Sequence, residues 1–209
     1  MSLRDRLAQD TPLLAPGAYD ALSALLIEQA GFSGMLFTEG HQVPWMNIAA
    51  ASLAAPSLHF STGIAIAFAR SPMVSAEIAW ELAQNTRGKF RLGLGSQVKA
   101  HIERRYASQW DKPAPQMKDY VQAVKACLAA FRREAPLKHD GRYYKMNLLP
   151  EQWTPPPFDP AKDTRVLMAE AAEAGDFEEV CNCTKALRGN RAAIVKCAIT
   201  IDDARAMDC

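Results

Sequence analysis

The chain has 209 residues, of which 49% are hydrophobic and 22% are charged, and its formal net charge is +1. This composition is ordinary for a globular protein, and a charge so close to zero gives no electrostatic reason to expect nucleic acid or an anionic membrane as a partner. No apolar run approaches the roughly 20 residues that span a bilayer, and the opening segment MSLRDRLAQD carries charges where a signal peptide needs an apolar core. We expect one domain, or one domain with an appendage.

The cysteines favour a reducing, cytoplasmic location. There are five, an odd number, and four of them lie in the last thirty residues. Disulfide frameworks of secreted proteins normally use even sets of cysteines. The sequence Cys181-Asn182-Cys183 has no second pair of Cys or His at the spacing of metal ligands, so we expect no metal site.

Apolar periodicity predicts that strands and helices alternate over the first half of the chain. Asp20 suits the N-cap of the first helix, and Gly31 is a natural stop. The strand starts are roughly 22 to 30 residues apart, which is typical of (β/α) barrels and doubly wound sheets. The predicted strands cover residues 12–16, 34–38, 60–68 and 90–94, and the predicted helices cover residues 21–30, 47–55 and 75–84.

The alternation fades in the second half. A helix is predicted over residues 117–133, and a short exposed strand over residues 143–146. Four prolines between residues 153 and 160 indicate a linker or an extended loop. Beyond it no strand pattern is evident, and apolar spacing predicts helices over residues 166–174 and 177–187 and a third helical face at residues 194–201.

In parallel α/β sheets, ligands bind at the carboxyl ends of the strands, so the residues that follow each predicted strand are the candidates. After the second strand come Glu39, Gly40, His41 and, slightly later, Trp45. A histidine at that edge can exchange a proton near neutral pH, and an indole can stack on a planar ligand. The alternatives are a surface histidine and a tryptophan that only packs.

The third predicted strand ends in the sequence AFARSP at residues 67–72. Small residues there let the backbone approach a ligand closely, and Arg70 can hold a phosphate or a carboxylate. The alternative is an ordinary strand-to-helix turn in which Pro72 begins the helix. The fourth predicted strand ends in GLGS at residues 93–96, but no third glycine follows at the spacing of a dinucleotide-binding loop.

A dense polar run follows the fourth strand. Its alternative interpretation is a solvated loop and helix start, which is the usual outcome for such runs. The run includes Gln97, Lys99, His101, Glu103, Arg104 and Arg105.

Several longer segments occur in an order that resembles a known family. TEGHQVPW follows the second predicted strand, TGIAIAFARSP covers the third, GKFRLGLGSQVKAHIERRY covers the fourth, and KPAPQMKDYVQAVKA and GRYYKMNLL come later. Over about residues 31–157 the chain resembles the luciferase-like monooxygenase superfamily, and within it the deazaflavin-dependent oxidoreductases. The resemblance implies a TIM-like barrel and hydride transfer between a deazaflavin of the F-420 type, or FMN, and a small organic substrate.

The resemblance also implies roles for individual residues. His41 would be the proton donor or a contact of the redox ring. The Ala67-Phe68 segment would form a bulge behind the ring, where relatives often place a non-prolyl cis peptide. The residues expected to contact the cofactor are Glu39, Trp45, Ala67, Phe68, Arg70, Gly95, Ser96 and Gln97.

The resemblance covers only part of a barrel. The family has eight β-α units, whereas about four are predicted here. We therefore expect a partial TIM-like (β/α) barrel over residues 1–157, followed by a helical C-terminal extension over residues 158–209. An exposed half-barrel edge favours association, so we also expect a homo-oligomer.

Residues 3–38 resemble another family, the isocitrate lyase and phosphoenolpyruvate mutase superfamily. This leaves a Mg-dependent carbon–carbon lyase as a second hypothesis, although the acidic metal motifs and the cysteine-containing catalytic loop of that superfamily are absent. A third hypothesis is a non-catalytic barrel fragment that acts as an oligomerisation module.

Overall fold

The computed structural model of the chain describes residues 14–156 and, further on, the strands at residues 165–169 and 198–200. Its helices are α1 (Ala21–Gln29), α2 (Pro44–Ala54), α3 (Pro72–Asn85), α4 (Lys99–Arg104) and α5 (Pro113–Phe131). Its strands are β1 (Gly34–Phe37), β2 (His59–Thr62), β3 (Ala65–Ile66), β4 (Phe90–Gly95), β5 (His139–Asp140), β6 (Lys145–Met146), β7 (Arg165–Ala169) and β8 (Ala198–Thr200). Short 3-10 turns lie at Ala67–Ala69 and Glu151–Trp153.

One main sheet organises these elements. Its strand order is β1-β2-β4-β7-β8, and β3, which follows β2 directly along the chain, also pairs with β4. The pairs in this sheet are parallel except for β7 with β8. The predicted α/β class and partial (β/α)-barrel arrangement are therefore confirmed.

The hydrophobic core lies between one face of this sheet and the helices. Buried and less buried residues alternate along β1, β2 and β4, as expected for strands with one face against a core. The opposite face corresponds to the inside of a barrel. The side chains on the buried face include Met35, Phe37, Phe60, Phe90, Leu92 and Leu94.

Three helices begin at a proline, earlier than the apolar periodicity predicts. α2 begins at Pro44, α3 at Pro72 and α5 at Pro113, three or four residues before the predicted starts. Proline suits the first helical turn because an N–H there has no intrahelical acceptor and the φ angle of proline is already helical. α1 agrees with prediction, and Asp20 caps it by accepting a hydrogen bond from the Ser23 N–H at 2.7 Å.

The described helices give no candidate for a transmembrane span, since none of them is both long enough and apolar enough.

The third predicted strand, residues 60–68, is not continuous. β2 ends at Thr62, β3 is two residues long, and a cis peptide joins Gly63 to Ile64 between them. Phe60 lies opposite Phe90, but Ala65 lies opposite Leu94, so five residue steps on one side face four on the other. This extra residue is a β-bulge, which breaks the ladder and bends the strand.

The Thr62 side chain repairs the ladder beside this bulge. Its hydroxyl accepts a hydrogen bond from the Gly93 N–H and donates one to the Gly93 carbonyl, both at 2.8 Å. A Cβ atom on residue 93 would lie 2.0 Å from the Thr62 carbonyl oxygen. Glycine is therefore required at residue 93, because β2 and β4 approach each other too closely there for any side chain.

The first predicted strand, residues 12–16, is wrong over its described part. Residues 14–16 form no strand, and a single parallel bridge joins Gly17 to Leu36 of β1. The Leu36 N–H donates to the Pro16 carbonyl, and the Ala18 N–H donates to the Leu36 carbonyl, both at 3.0 Å. Pro16 itself has no N–H with which to extend a ladder.

The C-terminal extension contains strands where the sequence predicts helices. β7 overlaps the helix predicted over residues 166–174 but pairs in parallel with β4. β8 falls on the helical face predicted at residues 194–201 but pairs with β7. A short local pattern cannot reveal that the edge of β4 offers unpaired backbone groups that another strand satisfies. The other residues predicted as helical here, and the domain boundary predicted at residue 157, lie outside the described residues.

Helices α3 and α5 pack side by side and run in the same direction. The Ser75 hydroxyl lies 2.6 Å from the Tyr120 hydroxyl near their starts, and the Trp80 and Phe131 rings are 5.6 Å apart further along. The Tyr120 hydroxyl also donates to the Ser71 carbonyl at 3.2 Å, and burial raises its pKa. Tyr120 of α5 thereby lies beside the turn that follows β3, where the Phe68 ring packs against it.

A small hairpin, β5–β6, covers the side of α5. Its second strand, β6, is two residues long and covers only the end of the strand predicted at residues 143–146. The buried Asp119 anchors the hairpin. One carboxylate oxygen contacts His139 Nε2 at 2.7 Å, and the other accepts from the N–H groups of Tyr143 and Tyr144 at 2.5 and 3.1 Å. A Cβ atom on Gly141 would lie 1.8 Å from this carboxylate, so the hairpin turn fits only with glycine.

Replacing Thr62 with valine tests the repaired ladder. The Thr62→Val side chain keeps the shape but leaves the Gly93 N–H and carbonyl without their partner, so we expect a loss of about 2 kcal/mol in the free energy of unfolding. The Thr62→Ser variant keeps the hydroxyl and serves as the control. Urea unfolding followed by circular dichroism measures both, and equal stability of the valine variant and the wild type would refute the role of this hydroxyl.

Candidate active site

The carboxyl ends of β1, β3 and β4 meet at one edge of the sheet, which we call the mouth of the half-barrel. The loop of residues 38–43 follows β1, the 3-10 turn follows β3, and the segment of residues 96–98 follows β4. Because parallel strands end at the same edge, the three candidate segments predicted from sequence are brought together.

A buried ion pair connects two of these segments. One oxygen of Glu39, Oε2, accepts a hydrogen bond from the Ile66 N–H at 2.6 Å and another from Arg70 Nη1 at 3.1 Å. The other oxygen, Oε1, accepts from Arg70 Nη2. Arg70 Nη1 also donates to the Ile66 carbonyl at 2.8 Å. The Glu39 side chain is 2% exposed and the Arg70 side chain 15%, so the pair is almost entirely removed from water.

This geometry gives Glu39 and Arg70 a structural role that sequence reasoning missed. Both carboxylate oxygens are occupied by protein donors, and the two charges neutralise each other. The pair therefore fastens the loop after β1 to the end of β3. The expected contact of these two residues with a cofactor stays a prediction.

Trp45 and His41 lie on the same side of the mouth but differ in burial. The Trp45 ring is half-buried, and the Arg70 guanidinium carbon lies over it at 5.2 Å from the ring centroid, a cation–π contact. His41 is exposed on the loop between β1 and α2. The ion pair thus also fixes the tryptophan ring, whereas the histidine side chain faces water.

The Ala67-Phe68 segment is not the bulge expected from the resemblance. Both residues are buried in the 3-10 turn, and the Phe68 ring packs edge-on against Trp110 at 5.7 Å and Tyr120 at 6.4 Å. The non-prolyl cis peptide and the bulge lie earlier, at Gly63–Ile64. The expected position was therefore wrong, and the glycine in the strand was the available indication of the true one.

Gly95 is the last residue of β4, and Ser96 and Gln97 follow it at the mouth. A Cβ atom on Gly95 would lie 2.7 Å from the Ile64 side chain. Gln97 adopts a positive φ of 63°, and its side-chain oxygen accepts from the Val98 N–H at 3.0 Å. The Ser96 hydroxyl donates to the Gln97 carbonyl at 3.1 Å. The Gln97 side chain therefore helps to shape the exit loop of β4.

Few side chains lie where the bulge faces β4, and we call this group of residues the glycine floor. It consists of Gly63, Ile64, Gly93 and Gly95, three of which lack side chains. The close approaches at Gly93 and Gly95 keep the strands tight against each other. Such a floor fits a planar, largely apolar ring better than it fits a compact polar ligand.

One further residue at the mouth was considered in the sequence only as part of a charged run. Arg105, which follows α4, donates a hydrogen bond from Nη2 to the Gly40 carbonyl at 2.7 Å. It thereby joins the exit of β4 to the exit of β1. Only its position after the Gly-x-Gly strand end distinguished it in the sequence.

Within the described parts of the chain, no group of three or more His, Cys, Asp or Glu side chains is arranged to hold a metal ion.

Solved structures establish the fold class. Monooxygenase RslO1 from Streptomyces bottropensis superposes with a TM-score of 0.62 at 18% identity, over 80% of this chain and 50% of that chain. The oxygenating constituent of 3,6-diketocamphane monooxygenase from Pseudomonas putida, solved with FMN, gives 0.58 at 18% identity, over 71% and 45%. The coenzyme F-420-dependent tetrahydromethanopterin reductase of Methanopyrus kandleri gives 0.52 at 14% identity, over 65% and 45%.

The sequence comparison shows the family. The luciferase-like monooxygenase family pattern matches residues 7–194, so the chain belongs to that family. Uncharacterized proteins of Mycobacterium tuberculosis and Mycobacterium bovis are 33% identical to it over 159 residues, which is 76% of this chain and 46% of theirs. The chain thus spans about half the length of these relatives. The match includes most of residues 3–38, the stretch that resembles isocitrate lyase.

The buried ion pair can be tested with a double-mutant cycle. We expect Arg70→Met to lower the free energy of unfolding by about 3 kcal/mol, because it leaves the Glu39 carboxylate buried without a counter-charge. The double variant Glu39→Gln/Arg70→Met should lose clearly less than the sum of the two single variants. Urea unfolding of the four proteins measures this coupling, and strictly additive losses would contradict the pair.

Proposed function

We propose that this chain takes part in hydride transfer between a bound deazaflavin of the F-420 type, or FMN, and a small organic substrate. The observation that carries the proposal is the mouth itself. In a member of the luciferase-like monooxygenase family, the same edge of the sheet carries the glycine floor, a fixed tryptophan and an exposed histidine. The FMN complex and the F-420-dependent reductase among the structural neighbours support a flavin-type cofactor without choosing between the two.

The described residues fit the ring of such a cofactor. The glycine floor provides a surface with few side chains, since a Cβ added at Gly93 would meet the Thr62 carbonyl oxygen and one added at Gly95 would meet the Ile64 side chain. Trp45 provides an aromatic edge or face whose orientation is held by Arg70. Planar ligands gain affinity from such surfaces through burial and stacking.

The cofactor would supply the hydride chemistry, and the residues of this chain would position the reactants. Glu39 and Arg70 hold the loop after β1 in place, and with it the two residues that reach the ligand. Trp45 would contact the ring. His41, which is exposed at the rim, would give or take the proton that accompanies hydride transfer at a substrate atom.

The half-length of the chain bears on how a complete site is formed. The described residues include the floor for the ring, while a full barrel would provide a wall on the opposite side as well. We propose a cytoplasmic homo-oligomer, in keeping with the half-barrel edge. A barrel fragment without catalysis is the alternative, and cofactor binding distinguishes the two.

The surface of α1 and α2 supports self-association. Four large apolar side chains on these neighbouring helices are exposed: Leu22 (64%), Leu26 (56%), Met46 (75%) and Leu53 (85%). The only charged residue within the two helices is Glu28, which is engaged with Ser57. An uncharged apolar surface fits a second copy of itself, because no like charges are brought together.

Cofactor binding is measured by titrating the full chain with oxidised and reduced deazaflavin and FMN and following absorbance and fluorescence. We expect at least one of them to bind at micromolar protein, and Trp45→Leu to weaken that binding about tenfold, within the range of aromatic stacking energies. Trp153→Leu is the matched control, since Trp153 is 74% exposed and lies far along the chain from the mouth. No binding of either cofactor in either redox state would end the proposal.

Sedimentation velocity tests self-association. We expect the wild type to sediment as an oligomer and the double variant Leu26→Glu/Leu53→Glu as a monomer, because carboxylates would have to be buried at the contact. Leu148→Glu, which places a carboxylate at a 76% exposed apolar residue outside α1 and α2, is the control and should remain oligomeric. A wild-type monomer across the accessible concentration range would contradict the proposal.

A further inference from the structure

Arg105 spans the mouth of the half-barrel. It belongs to the segment after β4, yet its Nη2 donates to the carbonyl of Gly40, which follows β1. The interrupted strand formed by β2 and β3 lies between β1 and β4 in the sheet. Neighbouring strands are about 4.8 Å apart, so the contact crosses roughly 10 Å of the strand ends. The Arg105 guanidinium therefore joins the segment after β4 to the loop after β1 at the mouth.

The charge of Arg105 is not neutralised by a carboxylate among the described residues. The acids on the adjoining segments have other partners: Glu39 pairs with Arg70, Glu103 lies 3.7 Å from Lys99, and Asp111 lies 3.6 Å from Arg142. Arg105 itself is exposed, and its guanidinium carbon lies 5.2 Å from the centroid of the neighbouring Tyr106 ring. This differs from Arg70, whose charge is neutralised by the buried Glu39 carboxylate.

The donors of Arg105 suit an anion. A guanidinium has five N–H donors, and the contact with Gly40 uses one. The remaining donors form a planar fork that matches the oxygens of a phosphate or a carboxylate. His41 directly follows Gly40 and is exposed, so an imidazole lies on the same rim.

We propose that Arg105 binds an anionic group, a phosphate or a carboxylate, of the ligand that occupies the mouth. The inference rests on the proposed function, because it assigns the polar end of the ligand whose ring would lie on the glycine floor. The anion belongs either to the phosphate-bearing arm of the cofactor or to an acidic substrate. The competing explanation is that Arg105 only ties α4 to the loop after β1.

Two matched pairs of ring compounds separate these possibilities. Dissociation constants are measured for FMN against riboflavin, and for the deazaflavin cofactor against its phosphate-free form, with the full-length wild type, Arg105→Gln and Arg104→Gln. Arg104 is the control because it is the adjacent exposed arginine, and no contact ties it to the loop after β1. Inorganic phosphate is titrated separately into the three free proteins and into the same proteins loaded with whichever ring compound binds.

If the cofactor supplies the anion, the wild type binds the phosphate-bearing member of a pair about tenfold more tightly, which corresponds to 1.4 kcal/mol. Arg105→Gln loses this preference and Arg104→Gln keeps it. If the substrate supplies the anion, both members of a pair bind equally to all three proteins. Inorganic phosphate then binds the loaded wild type about tenfold more tightly than the loaded Arg105→Gln variant.

Other results overturn the inference. Equal weakening of both members of a pair by Arg105→Gln would show a structural tie only, and no effect on any probe would remove the anion site altogether. Both results leave the proposed function intact, since a ring compound still binds. Conversely, if no ring compound binds the wild type but phosphate binds it in an Arg105-dependent way, the anion site stands and the proposed function falls.

Discussion

The buried carboxylate of Glu39 is the constraint on which the mouth of this half-barrel depends. It joins the loop after β1 to the Ile66 N–H and to Arg70, and Arg70 in turn fixes the ring of Trp45. A charge this deeply buried is costly unless it is paired and hydrogen-bonded, and here both oxygens are satisfied. The pair therefore fixes the position of the loop after β1 relative to the end of β3.

The bulge is the second element of the arrangement. One extra residue between β2 and β3 bends the backbone around the cis peptide at Gly63–Ile64, and the Thr62 hydroxyl satisfies the backbone groups that the bulge leaves open on β4. The glycines of β4 let the strands approach closely at this point. The glycine floor and the fixed loop thus both arise from contacts within the protein itself. Preorganisation of this kind lowers the cost of holding a cofactor ring.

The sequence predicted the parts of this structure that depend on local pattern. Apolar alternation located β1 and β4, and the order of the segments indicated the family. The bulge was expected at Ala67-Phe68 instead of Gly63–Ile64 because its position depends on register against a strand about thirty residues away. The pairing of Glu39 with Arg70 was missed for a similar reason, since the two residues are distant in sequence. β7 was taken for helix because its partner, the edge of β4, is not visible in a local window. The sequence located the segments at the strand ends, but the structural role of Glu39 and Arg70 could be recognised only from their contacts.

The most direct test of this account is amide hydrogen exchange at Ile66, followed by NMR on the full-length protein. The Ile66 N–H lies near the mouth in a two-residue strand, and its hydrogen-bond acceptor is the buried Glu39 carboxylate, which we expect to protect it strongly. We predict exchange as slow as that of the core amides of β4. Exchange at the rate of an exposed loop would contradict the claim that the Glu39 carboxylate holds the mouth together.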